Sequence, residues 1–166
     1  MQNHYNYVFD DITNTYNFTT QNNILYRVAF VIDETFSTIS GEDVPNIFQL
    51  VIEKATDGLE PYDARVSKTI KDIIERFFHN VENSLIYVCS DDNEKAKQRH
   101  KVFDRWYQTS KYKNIVMKID NIITVVIGEH NVQTLYTSFM FHTDNPVYVK
   151  LIKIYNQIEE ALNRDK

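Results

Sequence analysis

Two stretches of the 166-residue chain hold residue types that could do chemistry. The first is Cys89-Ser90-Asp91-Asp92, at the end of a short apolar run, Leu85 to Cys89. A thiol beside a helix N-terminus becomes a better nucleophile because the helix dipole favours the thiolate. Asp91 and Asp92 oppose that effect, and no spacing ties Cys89 to a base among His79, His100, His130 and His142. The same junction suits an anion poorly, because two aspartates already occupy it; capping by Ser90 or Asp91 is the plainer reading. Metal-assisted hydrolysis needs carboxylates from several elements. Asp10, Asp91 and Asp144 stand at element ends but carry other duties in turns and caps. A metal- or cysteine-dependent enzyme therefore ranks third, with Cys89 and Asp91 as the residues to change first. There is no phosphate-binding glycine loop, no His-x-x-x-His pair and no Gly-x-Ser-x-Gly elbow. No cofactor or metal is expected, and the balance leans away from catalysis.

The second stretch is basic. Residues 95–118 hold eight Lys and Arg against Asp104 alone, a local charge of +7, while residues 1–63 sum to −8. Lys97, Lys101 and Arg105 fall on one helix face at i, i+4 and i+8. Lys111 and Lys113 follow, with Trp106, Tyr107 and Tyr112 interleaved. Phosphate contacts beside stacking aromatics suit single-stranded nucleic acid. The overall pI of about 5.5 argues against a dedicated nucleic-acid binder. Arg99 and Trp106 share one flank of that helix with Tyr107 nearby, and Arg, Trp and Tyr are the residues that anchor protein interfaces.

The elements that must position these residues follow from length and pattern. One domain over residues 1–166 is expected, long enough for a core without staples. The single cysteine excludes an internal disulfide and a cysteine-cluster zinc site. No apolar run is long enough for a membrane helix, and the polar start MQNHYNYVFDD lacks the features of a signal peptide. A soluble, cytoplasmic protein with no membrane partner is the expectation.

Period-two alternation predicts strands at Tyr5–Phe9 and Thr15–Thr19, a more buried strand at Ile24–Ile32, a loop over 33–45 and a strand at Asn46–Lys54. Val66, Ile70, Ile73, Ile74, Phe77 and Phe78 mark an amphipathic helix with Asp63 as N-cap. Leu85–Cys89 reads as a central strand, and a second helix runs to about Gln108 with Ala96, His100, Phe103 and Tyr107 inward. Ile115–Ile119 and Ile122–Ile127 form one long strand or a hairpin about Asp120-Asn121, followed by a strand at Thr134–Phe141. Asn145-Pro146 starts a last helix whose apolar stripe runs from Val147 to Leu162. The order ββββ-α-β-α-ββ-α implies an α+β domain with a mixed, mainly antiparallel sheet.

The stretch LIYVCSDDNEKAKQRHKVFDRW, with its Tyr-x-Cys strand end and the helical spacing of Arg99, Phe103 and Trp106, resembles a family of small bacterial proteins known only as a domain of unknown function. The likeness extends over roughly residues 24–160 and implies a fold-sized unit without an activity. The element order also resembles the ribonuclease H-like arrangement, in which antiparallel strands precede alternating helices and strands.

The functional expectation is a non-enzymatic module that binds another macromolecule. A protein partner, in an antitoxin-like, immunity or anti-defence role in a bacterium or phage, is expected through Arg99, Trp106 and Tyr107. The alternative is nucleic acid held by Lys97, Lys101, Arg105, Lys111 and Lys113. A homodimer is compatible with either.

Overall fold

The computed structural model describes residues 3–90 and 95–164, with the side chain of Ser90 left aside. The strands are β1 (Val8–Asp10), β2 (Thr15–Thr19), β3 (Leu25–Ile32), β4 (Ile47–Lys54), β5 (Ser84–Ser90), β6 (Val116–Ile127) and β7 (Asn131–His142). The helices are α1 (Thr35–Ser40), α2 (Ala64–Phe77), α3 (Ala96–Gln108), α4 (Tyr148–Tyr155) and α5 (Ile158–Asn163), with a 3-10 turn at Tyr112–Asn114. All seven strands form one sheet in the order β1-β2-β3-β4-β5-β7-β6. Every neighbouring pair is antiparallel except β4 and β5, which run parallel because α2 carries the chain across between them. The α+β class and the mixed, mostly antiparallel sheet expected from the pattern are both present.

Alternation along the strands divides the core in two. One face carries Phe18, Val28, Leu85, Tyr87, Cys89 and Met140 against the apolar stripe of α2 and the inner side of α3. The other carries Ile47, Ile86, Ile123, Phe139 and Phe141 against Phe36 of α1 and Leu151, Ile154, Tyr155 and Ile158 of α4 and α5. On α2 the inward residues recur at helical spacing, and Asp63 caps the first turn by accepting from the Arg65 N–H at 2.9 Å.

Several boundaries differ from the sequence pattern, each for a local reason. Tyr5 and Tyr7 are extended but lie outside β1, because their polar groups bond to α2: Tyr5 N–H donates to Thr69 Oγ1 at 2.9 Å and Tyr7 Oη to Asp72 at 2.7 Å. The expected loop over 33–45 contains α1, anchored by the buried Phe36 and closed by Gly41 in the left-handed region. The stretch at Asp120-Asn121 is no hairpin: β6 passes straight through it. The final helix is split at Asn156-Gln157 into α4 and α5, and Pro146 sits in a turn before α4 rather than at its first position. Asn145 nonetheless caps that turn, accepting from Val147 N–H at 3.0 Å.

Candidate functional site

The one parallel pair is where the sheet opens. β4 is eight residues long and β5 seven, yet their pairing stops after Ile47–Ser84, Phe48–Leu85 and Gln49–Ile86. Beyond that point Leu50–Lys54 remains bonded to β3, and Tyr87–Ser90 to β7. Among the described residues no ladder bond joins the two strands beyond that point, so each turns a free edge toward the other, and free strand edges are templates for another extended chain. The opening lies at the carboxyl ends of both strands, where the chain enters α2 and α3. Ligands in open α/β sheets bind in such crevices at the point where strand order changes.

The face of the sheet bordering this opening is uncovered. α1, α4 and α5 cover the β5-β7-β6 half and the start of β4 at Ile47; among the described residues no helix packs on the same face over β1–β3 and the rest of β4. Val51 and Val88, the residues flanking the opening on that face, are 44% and 45% exposed, and Val31 and Val8 are 51% and 70% exposed. The Arg27–Glu53 pair at 3.3 Å closes one side of the apolar patch.

On the opposite face the opening leads to a polar row beneath α3. The register places Tyr87, Ser138 and Asp120 side by side across β5, β7 and β6. Ser138 Oγ donates to Asp120, and Lys118, 3% exposed, lies between Asp104 at 3.0 Å and Asp120. His100 Nε2 stands 4.0 Å from Asp120. Tyr87 Oη and His100 Nδ1 are buried with no hydrogen-bond partner among the described residues.

Burial and charge set the protonation of this row. Burial raises the Tyr87 phenol far above its ordinary range. Burial lowers the His100 imidazole, with Asp120 pulling weakly the other way, so it is neutral at neutral pH. Burial would raise Asp120, but hydrogen bonds from Lys118 and Ser138 and the Lys118 charge outweigh it and hold the carboxylate low. Burial pushes the Cys89 thiol up against the opposing charge of Arg99. A neutral thiol is a poor nucleophile. The Lys118 ammonium occupies the position between the carboxylates that a cation would take, and the described residues contain no cluster of three or more His, Cys, Asp or Glu able to hold a metal. The arrangement offers backbone donors and acceptors, an apolar flank and the polar side chains of Tyr87, His100 and Ser138.

A cavity of about 690 Å³ lies elsewhere, around α1, and its lining includes Asp33, Glu34, Glu42 and Asp43. Two of these acids are engaged within the fold: Asp33 accepts from Thr35 N–H at 2.9 Å and from Gln49, and Glu42 pairs with Lys150.

The residues singled out from the sequence are distributed over α3. Arg99 is exposed and its charge reaches Cys89, beside the opening. Trp106 is half-buried, edge-on to Phe103 at 5.2 Å, and Tyr107 donates its hydroxyl to the Val116 carbonyl at 2.8 Å. Both pack part of their surface against the core. Lys97, Lys101, Arg105, Lys111 and Lys113 are all exposed, and none pairs with a carboxylate among the described residues. Lys113 donates to Gln108 at 2.6 Å. Asp91 lies outside the described residues. Sequence reasoning located the carboxyl end of β5 but missed the opening and Lys118, Asp120 and Ser138. The signal for those three was the alternation of β6 and β7, hidden by the turn-like Asp120-Asn121.

No helix among the described residues is long and apolar enough to cross a membrane. A family model described as a family of unknown function (DUF6169) matches residues 62–158, from the entry into α2 to the first residue of α5. Neither the curated proteins nor the solved structures give a match.

Proposed function

We propose, for a chain that belongs to this family of unknown function, that it is a non-enzymatic binding module and takes an extended segment of a protein partner into the opening between β4 and β5. The observation that carries the reading is the early end of the parallel pairing, three residue pairs on strands of eight and seven. A peptide entering there bonds to both free edges, the mode in which main-chain hydrogen bonds supply affinity and alternate side chains supply specificity. Its outward side chains cover Val51 and Val88. A regulatory role of the antitoxin, immunity or anti-defence kind in a bacterial cytoplasm fits a small module of this sort.

The test is capture from a nuclease-treated native lysate by the wild-type chain and by Val51→Lys/Val88→Lys, read by mass spectrometry. The expected result is one stoichiometric protein, lost by the double variant at unchanged circular dichroism, with amide exchange slowed at 50–54 and 87–90 in the complex. Retention by the variant overturns the reading. An empty wild-type capture also overturns it, in favour of a small amide-bearing ligand.

A second reading rests on the charged side of the molecule. Lys68 and Lys71 of α2 add to the exposed cations of α3, and Lys71 lines a cleft of about 280 Å³ with Lys68 and Lys111. Burial and then the nearby Lys68 lower the Lys71 ammonium. Nucleic acid on this face predicts capture that is lost at high salt and in Lys97→Glu/Lys101→Glu/Arg105→Glu.

A further inference from the structure

The outer edge of β6 is the long exposed edge of the sheet, twelve residues paired on one side only, to β7. Such an edge pairs readily with another chain unless something blocks it. Here the block is made by two side chains of α5. Glu159 accepts from Thr124 N–H at 3.1 Å, and Asn163 accepts from Val126 N–H at 3.1 Å while donating to the Thr124 carbonyl at 2.8 Å. The Asn163 amide therefore makes the two bonds that one residue of a parallel strand would make opposite Val125. It is steadied by a further bond from its Nδ2 to the Glu159 carbonyl at 3.0 Å. α5 itself is six residues long and is held chiefly by the buried Ile158.

These bonds also establish which groups face outward. The N–H and C=O of Thr124 and the N–H of Val126 point away from β7, so the even-numbered residues of β6 carry the free edge. Two β6 edges brought together antiparallel about a twofold axis at Ile122 would match even to even: Ile122 with Ile122, Asp120 with Thr124, Lys118 with Val126. The exposed Ile122 would then be covered by its counterpart, and the exposed Val126 would lie opposite Lys118.

We propose that the β6 edge is an interface for a second copy of this chain, held shut by Glu159 and Asn163 and opened when α5 lifts. The β4–β5 opening plays no part in this proposal, which stands or falls independently of the partner reading.

Light scattering on a sizing column tests it with the full chain. Wild type and Glu159→Gln, which keeps the acceptor, are expected to be monomers. Glu159→Ala/Asn163→Ala is expected to be a dimer, and adding Ile122→Pro, which removes a central edge N–H, is expected to restore the monomer. A folded double variant that stays monomeric overturns the proposal, as does a wild-type dimer or a dimer indifferent to Ile122→Pro. Should the double variant fail to fold, amide exchange in the wild type decides. Slow exchange at Thr124 and Val126 supports the block, and exchange as fast as a free edge overturns it.

Discussion

Lys118 carries the most structural responsibility of any single side chain described here, because it is almost fully buried and neutralises two carboxylates from different elements, Asp104 of α3 and Asp120 of β6. Lys118→Met keeps much of the volume and leaves the Asp120 charge without its cation. Both aspartates are partly exposed, so water takes up part of the loss, and the expected cost is about 1–3 kcal/mol, read as a lower midpoint in urea. The same row predicts an acid response in two steps. His100 has a folded value below its ordinary 6.5 because burial disfavours the cation. The native state therefore binds fewer protons than the unfolded one, and stability present above the ordinary value is lost as pH falls from it toward the folded value. Asp120 is also held low, so its contribution is present above the ordinary carboxylate value and disappears only as pH falls further, through its lowered value. Thermal melts across pH should show His100→Gln abolishing the first step and Asp120→Asn reducing the second, to which Asp10, Glu42 and Asp63, also held low, contribute; a first step unchanged in His100→Gln would refute the assignment. Cys89, buried with its thiol raised, is expected to alkylate much more slowly in the native than in the unfolded protein at mildly alkaline pH.

Among the elements, α2 shows what a pattern can and cannot reveal. Its apolar period and its Asp63 cap were legible because both are local, within a few residues of one another. Its binding of the N-terminal segment was not, since Tyr5 and Tyr7 alternate as a strand does while their hydroxyls reach Asp63 and Asp72 some sixty residues away. Asp63 both accepts from the Arg65 N–H and receives the Tyr5 hydroxyl. Asp63→Ala should therefore cost at least the usual cap loss of about 1 kcal/mol, or roughly 2–4 °C in Tm for a chain of this size. Tyr5→Phe removes the same Tyr5–Asp63 bond from its other end, so the double variant should lose less than the sum of the two single variants. Non-additive melts of the two single variants and the double would establish the coupling. β6 is the opposite case. Asp120-Asn121 has turn chemistry, and the ladder to the distant β7, with Ser138 and the neighbouring Lys118 binding the Asp120 side chain, keeps it extended. The opening between β4 and β5 was hidden for a similar reason: each strand was legible separately, but where their pairing stops depends on register across the α2 crossover.

At the scale of the molecule, one sheet has one face covered by α2 and α3 except towards the far end of β6 and β7, where Ile122 and Val126 are exposed, and the other covered over half its width. That asymmetry separates residues needed for folding from residues available to a partner. Val28, fully buried against the α2 face, should lose stability on truncation by the usual margin for a core methyl pair, about 1–3 kcal/mol for Val28→Ala. Val51 and Val88 already expose nearly half their surface. Val51→Thr and Val88→Thr keep the β-branched shape that suits a strand and remove apolar surface that the monomer does not bury. The expected change in stability is within about 0.5 kcal/mol, measured by urea unfolding, with a gain in solubility. If the bare half-face serves only the fold, these two variants behave like any surface change and capture the same proteins as the wild type. If it is the partner's seat, the same pair that leaves the melt unmoved removes the partner. A large stability loss in the Thr pair would show instead that the valines are buried in solution by something the monomer lacks, and an oligomer resting on this face, rather than on the β6 edge, would then be the structure to seek.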